Sequence, residues 1–155
     1  MTAPIDIFPR WQAWIAAFDD AVARDDWSGL AEFLTEDVVY RVSGSPFDCH
    51  LRGRDAVIAG FARSVRGFDR RMQRRDWSAI GIRVYPSGYV TCRIHSAYRL
   101  DDANAISFEA TGHWGFRDGR IDLMLDFYDD SQRDVQLALG ALTALQGHVD
   151  PRYAD

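Results

Sequence analysis

Apolar residues recur at helical spacing along the start of the chain. Trp11, Trp14, Ile15, Phe18 and Val22 form one stripe, and Pro9 stands where a first turn would begin, so a helix is predicted from there to Ala23. Asp25-Asp26 then caps a short helix through Trp27, Leu30, Phe33 and Leu34. From Asp37 to Ser43 the period changes to two: Val38, Tyr40 and Val42 alternate against Val39 and Arg41, which predicts a strand. Gly44 to Gly53, which contains Pro46, reads as a loop. Asp55 to Phe68 returns to helical spacing, with Val57, Ile58, Phe61 and Val65 inward. Met72 to Tyr85 reads as a strand, long or interrupted, ending at the Pro86-Ser87-Gly88 turn. A final helix runs from a Ser131 cap to about Gln146, apolar at Val135, Leu139, Leu142 and Leu145.

Two β-hairpins fill the stretch between. Tyr89 to Leu100 is rich in Val, Thr, Ile and Tyr; Asp101-Asp102-Ala103-Asn104 breaks it, and Ala105 to Phe116 resumes it. A three-residue loop at 102–104 sets Asp101 opposite Ala105, hence His95 opposite Thr111 and Arg93 opposite His113. Asp118-Gly119 is a strong tight-turn signal that sets Arg117 opposite Arg120, hence Thr111 opposite Asp126 and His113 opposite Met124. Opposed residues share a face. One face is therefore expected to carry Arg93, His95, Glu109, Thr111, His113, Met124, Asp126 and Tyr128. The other carries Cys92, Ile94, Phe108, Ala110, Trp114, Leu123, Leu125 and Phe127. A slip of one residue would exchange the two faces of a strand. Helices first and then a long meander make an α+β pattern, with the helices gathered on one side of the sheet.

Composition narrows the function. The chain has 155 residues, 47% of them hydrophobic and 13% aromatic, which suits one domain over residues 1–155 with a packed core. A net charge of −5 argues against a nucleic-acid or anionic-membrane partner. Cys49 and Cys92 make no disulfide framework and read as reduced thiols of a cytoplasmic protein. The N-terminus has no basic region followed by an apolar run, and no apolar stretch is long enough for a membrane span.

Five segments resemble a known family: Asp25-Asp26-Trp27-Ser28-Gly29-Leu30, Glu36-Asp37-Val38-Val39-Tyr40, Gly53-Arg54-Asp55-Ala56-Val57, Asp118-Gly119-Arg120-Ile121 and Asp126-Phe127-Tyr128-Asp129. Together the chain resembles the SnoaL-like branch of the nuclear transport factor 2-like superfamily. The resemblance implies a cone-shaped, curved antiparallel sheet wrapped round N-terminal helices, with a C-terminal helix and an apolar pocket. It also implies a homodimer formed by packing two sheet faces together. Members include polyketide cyclases, limonene-type epoxide hydrolases, steroid isomerases, scytalone-type dehydratases and proteins that only bind, so the reaction must be argued from the site. Against the epoxide hydrolases, Arg93 matches a strand Arg, Asp126 a last-strand Asp, and Tyr40 a water-binding Tyr. His95 replaces an acid there and Val42 an amide. The dehydratases use histidines at the pocket, and His95 falls about where one of them does.

The candidate chemistry centres on His95, which can take and give protons near neutral pH, or else is a core histidine bonded to backbone. Asp126 would orient His95, hold it charged or act as base; the alternative is a structural Arg93–Asp126 ion pair. Arg93 and Tyr40 would bind oxygen atoms, with His113 and Tyr128 in reserve. Trp14, Phe18, Phe61, Met124 and the final helix would line or close the pocket. Arg70, Arg71, Arg74 and Arg75 form a basic cluster that reads as a solvated face rather than an anion grip. Asp48-Cys49-His50 lacks metal-ligand spacing, and the chain has no phosphate loop or nucleophile elbow, so neither a metal nor a cofactor is expected. The expected function is cofactor-independent acid–base catalysis (dehydration, isomerisation, cyclisation or lyase chemistry) on a small, largely apolar molecule. Epoxide hydrolysis and non-catalytic binding are the alternatives.

Overall fold

The computed structural model describes residues 6–103, 105–129, 131–144 and 149–155; Asn104, Leu145 and Gln146, parts of the expected hairpin loop and last helix, lie outside them. The first helix, α1 (Ile7–Arg24), is opened by Asp6, whose carboxylate accepts from the Phe8 amide at 3.1 Å. Asp25 does not open the next element: it closes α1 in the left-handed conformation, φ 56°, which a short polar side chain tolerates. Asp26 accepts from both Ser28 N and Ser28 Oγ and so starts a 3₁₀ segment, Ser28–Phe33. Strand β1 (Leu34–Ser43) follows. The expected loop contains a short strand, β2 (Cys49–Arg52), paired antiparallel to β1 with Val42 opposite Cys49. Then come α2 (Arg54–Gly67), β3 (Arg74–Tyr85), β4 (Tyr89–Arg99), β5 (Ala105–Arg117), β6 (Arg120–Phe127) and α3 (Arg133–Ala144). Ser131 does not cap α3 as expected; its hydroxyl donates to Asp129 at 2.6 Å. No described helix is long and apolar enough to cross a membrane.

The six strands form one sheet in the order β2-β1-β6-β5-β4-β3. The α+β cone with N-terminal helices and a C-terminal helix is the expected architecture. One pairing departs from it: β1 and β6 run parallel, because the chain turns away from β1 through β2 and returns to it last. Helices α1 and α2 fill the concave side. Trp11 meets Trp114 edge-on at 5.5 Å and Phe61 meets Tyr40 at 4.9 Å, so aromatic rings knit helix to sheet.

Both hairpin registers differ from expectation, with different consequences. In the first, Arg99 rather than Asp101 lies opposite Ala105. The shift is two residues, so it lengthens the loop and leaves the faces unchanged. In the second, Arg117 faces Arg120 as expected and Phe116 faces Ile121, but Gly115 faces Leu123. Asp122 is an extra residue, a bulge, and from there onward β6 is turned over. Asp126 lies opposite Gly112, and Met124 opposite Trp114. The concave face therefore carries Cys92, Ile94, Phe108, Ala110, Trp114, Met124 and Asp126. The outer face carries Arg93, His95, Glu109, Thr111, His113, Leu123, Leu125 and Phe127. The outer face is thus apolar along β6 and polar along β4 and β5, a smaller apolar patch than expected, because Ile94, Phe108 and Trp114 belong to the interior.

Gly112 stands beside Asp126 on the concave face, and the Trp114 ring lies over it. A Cβ there would come 2.5 Å from that ring and 2.9 Å from Ile94 Cδ1. Substituting Gly112→Ala should therefore overpack the interior and cost about 1–3 kcal/mol of stability, measured by urea unfolding followed through tryptophan fluorescence.

Candidate active site

Asp126 reaches the interior because the bulge turns β6 over. Tyr40, on the neighbouring strand β1, donates from its hydroxyl to Asp126 Oδ2 at 2.7 Å. A phenol has one proton, so with that proton given to Asp126, Tyr153 is left to donate to Tyr40; the two hydroxyls lie 3.2 Å apart. Burial pushes the Asp126 carboxyl up to about 6, and the Tyr40 hydrogen bond opposes the rise. Burial and the adjacent carboxylate hold the Tyr40 phenol neutral, well above its ordinary range. Burial, with the charge of Asp126 adding to it, raises the nearby Cys92 thiol to about 11, so it is no nucleophile.

Two chambers meet at this pair. The first, about 150 Å³, is walled by Trp14, Phe18, Phe61, Trp77, Trp114 and Met124, with Asp19 at its rim. The second, about 100 Å³, takes Asp69, Arg75, Tyr98, Tyr128 and Tyr153 into its wall. Tyr40 and Asp126 line both. Phe18 and Phe61 stand edge to face at 5.2 Å, fixing the apolar wall. Each chamber is small beside the roughly 300–1,000 Å³ of drug-sized sites, so the walls favour a compact, flat, apolar ligand.

Tyr153 comes from the segment after α3. Ser64 Oγ donates to the Pro151 carbonyl at 2.7 Å, and the Asp150 amide donates to Gly67 O at 2.9 Å. Gly60 and Gly67 of α2 permit this approach: a Cβ at Gly67 would come 2.1 Å from Asp150 O. The result is a tail strapped along α2 that sets the Tyr153 ring 5.3 Å from that of Tyr40. The final helix was expected to help close the pocket; instead α3 packs along β5, and the tail closes the second chamber.

The expected site residues divide between the two faces. Asp126, Tyr40, Tyr128, Met124, Trp14, Phe18 and Phe61 meet at the cavity. His95, Arg93 and His113 do not, because the bulge at Asp122 puts the sheet between them and Asp126. His95 Nε2 lies 3.2 Å from Ser107 Oγ. Arg93 pairs with Glu109 at 3.7 Å rather than with Asp126. His113 Nδ1 lies 2.5 Å from the Tyr89 hydroxyl, and burial lowers its pKa. The arginine cluster also divides: Arg74 pairs with the exposed Asp76 and Arg70 donates to Val22 O, whereas Arg75 turns inward against Asp69. Sequence reasoning missed Arg75, Asp69, Trp77 and Tyr153. A signal existed for one pair, since Arg75 and Trp77 are two apart on a strand and so share a face.

An unfolded aspartate titrates near 3.9, and Asp126 in the fold at about 6. Over that interval the native state holds a proton the unfolded state has lost, so stability falls as pH rises through it, by about 3 kcal/mol in all. Asp126→Asn removes that slope. Urea unfolding at about pH 4 and about pH 7 should show wild type losing about 2 kcal/mol more than the variant across the span, since the unfolded Asp126 is already half ionised at the lower pH.

The SnoaL-like domain model matches residues 14–124, which takes in the helices of the cone and the strands as far as Met124 and stops short of Asp126 and the tail. No curated protein matches the sequence. Among solved structures, an NTF2-like protein from Anabaena variabilis is 15% identical with a TM-score of 0.63, over 81% of this chain and 92% of that one. Bal32a, from a soil-derived mobile gene cassette, is 16% identical with a TM-score of 0.63, over 83% and 97%. TerC, co-crystallised with polyporic acid, is 13% identical with a TM-score of 0.62, over 85% and 98%. These three likenesses are of fold. With the domain model spanning most of its length, the chain belongs to the SnoaL-like family, and its fold is that of the NTF2-like protein.

Proposed function

We propose that this protein is a cofactor-independent acid–base enzyme acting on a small, largely apolar organic molecule, with Asp126 as the group that takes and returns the proton. Proteins of its family bind small-molecule ligands. The observation that carries the reading is the enclosed Asp126 carboxyl, held at about 6 and hydrogen-bonded by Tyr40 where two chambers meet. A carboxyl of that pKa is mostly ionised at neutral pH yet readily holds a proton, which suits it to both halves of a transfer. Tyr40 keeps its own proton, orients the carboxylate and can donate to a substrate oxygen that displaces it. Isomerisation, dehydration, cyclisation and lyase chemistry all need such a pair, and the aromatic walls exclude bulk water from it. The co-crystallisation of TerC with polyporic acid supports an organic ligand in a cone of this kind.

Epoxide hydrolysis is less well supported: Asp126 and Tyr40 could hold a water, but β4 presents Cys92, Ile94 and Ser96 to the interior and no acid to protonate the epoxide oxygen. We also propose a homodimer through the outer face of β6, where Leu123, Leu125 and the 48%-exposed Phe127 lie together. Sedimentation equilibrium should give twice the chain mass for wild type and a shift toward monomer for Phe127→Lys.

A panel of small cyclic ketones, enones and alcohols, followed by NMR, tests the catalytic reading. Turnover should rise with pH to a plateau, with its midpoint near 6, as Asp126 ionises. Asp126→Asn should lower the rate about 10²–10⁴-fold. Tyr40→Phe removes a hydrogen bond that favours the carboxylate, so the midpoint should move upward as well as the rate falling. His95→Ala should leave both unchanged. Equal turnover by wild type and Asp126→Asn rejects Asp126 as the proton carrier, and tight binding without turnover identifies a binding protein.

A further inference from the structure

The second chamber holds a charged group that the acid–base reading does not use. Arg75, on the concave face of β3 opposite Tyr98, has its guanidinium carbon 4.0 Å over the Trp77 ring. Its Nε lies 2.7 Å from Asp69 Oδ1, and the two side chains are only 17% and 12% exposed. Nε is thus ion-paired to Asp69, but Nη2 is buried and has no hydrogen-bond partner among the described residues. A buried guanidinium N–H left empty is rare, because water that would satisfy it has been stripped away. Here the unmet donor, Nη2, belongs to a residue that lines the same chamber of about 100 Å³ as Asp126. One small acceptor can meet it.

The surrounding charges decide which group. Asp69 already neutralises Arg75, with the Tyr98 hydroxyl 3.5 Å from the Asp69 carboxylate. Asp19 lies within electrostatic reach of Arg75 from the rim, and Asp126 adds a further negative charge in the chamber wall. An anionic ligand would enter a site of net negative charge. A cationic one would find Arg75 already over the Trp77 ring. What the empty N–H lacks is a neutral acceptor.

We infer that Arg75 is the oxygen-binding residue of the site and that the ligand is a neutral carbonyl compound, its oxygen toward Arg75 and an adjacent C–H toward Asp126. This rests on the acid–base reading for its second half only. In the step it implies, the C–H bond breaks and the proton passes to the Asp126 carboxylate. The C–H electron pair becomes the carbon–carbon double bond, and the carbonyl π pair moves onto oxygen, where the Arg75 N–H meets the enolate. Return of the proton to the same or another carbon completes an exchange or an isomerisation.

Four bicyclic probes of one shape separate the possibilities: indanone, methyleneindane, indane carboxylate and aminoindane, each titrated against wild-type protein by quenching of the tryptophans in the wall. Indanone should bind about tenfold more tightly than methyleneindane, which has no acceptor, and more tightly than either charged probe. Arg75→Met alone would leave Asp69 buried without its partner, so the variant is Arg75→Met with Asp69→Asn, its folding checked by circular dichroism. In that variant the preference for indanone over methyleneindane should fall to about onefold. Equal affinity of wild type for the two, including binding of neither, overturns the proposal. So does a preference for the carboxylate or the amine, or a preference for indanone that survives in the variant. Exchange of the indanone α-hydrogens with deuterium oxide reads the other half separately. Discrimination by Arg75 without Asp126-dependent exchange would sink the acid–base reading and leave the carbonyl subsite standing.

Discussion

The hydrogen bond from Tyr40 to Asp126 is the constraint around which the cone is arranged. It ties β1 to β6, the parallel pair that closes the sheet, at the place where a carboxyl is most expensive to ionise. Burial pushes the carboxyl up and the Tyr40 hydrogen bond opposes the rise, so its pKa stands at about 6. Tyr153 backs Tyr40, the aromatic rings of α1 and α2 wall the chambers, and Gly112 beside Asp126 leaves the Trp114 ring room to lie down.

The helices, the α+β order and the two hairpins were legible because their periods and turn residues are local. The orientation of β6 was not. Its apolar residues Ile121, Leu123, Leu125 and Phe127 alternate cleanly, and alternation names two faces without saying which is inside. One extra residue at Asp122 reverses the answer, and with it the company that Asp126 keeps. A hint was present in Gly115, since a glycine within a strand often accompanies a bulge, but Gly112 offers the same hint three residues away with a different cause. His95, chosen for its intrinsic pKa, was placed on the correct strand and on the outer side of the finished sheet.

The remaining omissions come from long-range contacts. Four arginines within six residues look alike in sequence, and only packing decides that Arg75 turns inward while Arg74 meets solvent. Strand β2 is four residues of mixed polarity whose only large gain is its pairing with β1. Tyr153 is 26 residues beyond Phe127, the end of β6, and it is held there by α2 through Ser64 and Gly67, which no local window connects to it. Sequence reasoning therefore found the acid and its phenol and missed the groups that complete the second chamber.

Charge inside the cone gives the site its direction. At neutral pH the interior holds an ionised Asp126, a compensated Asp69–Arg75 pair and phenols whose pKa values burial has raised. A neutral substrate adds no charge on entering, so it avoids the desolvation cost an ion would meet. In the proposed step the negative charge leaves one carboxylate and appears on an oxygen without any change in the total. If that oxygen lies against Arg75, the charge has moved from a phenol's hydrogen bond to a guanidinium with an unfilled donor. That donor would be in place before the proposed reaction begins, so its stabilisation would be realised as the charge develops, without reorganisation. The same arrangement gives the outlying carboxylates of Asp69 and Asp19 a role: they hold the guanidinium back from binding a preformed anion tightly, and so favour the state in which charge is being made over the one in which it arrives ready-made.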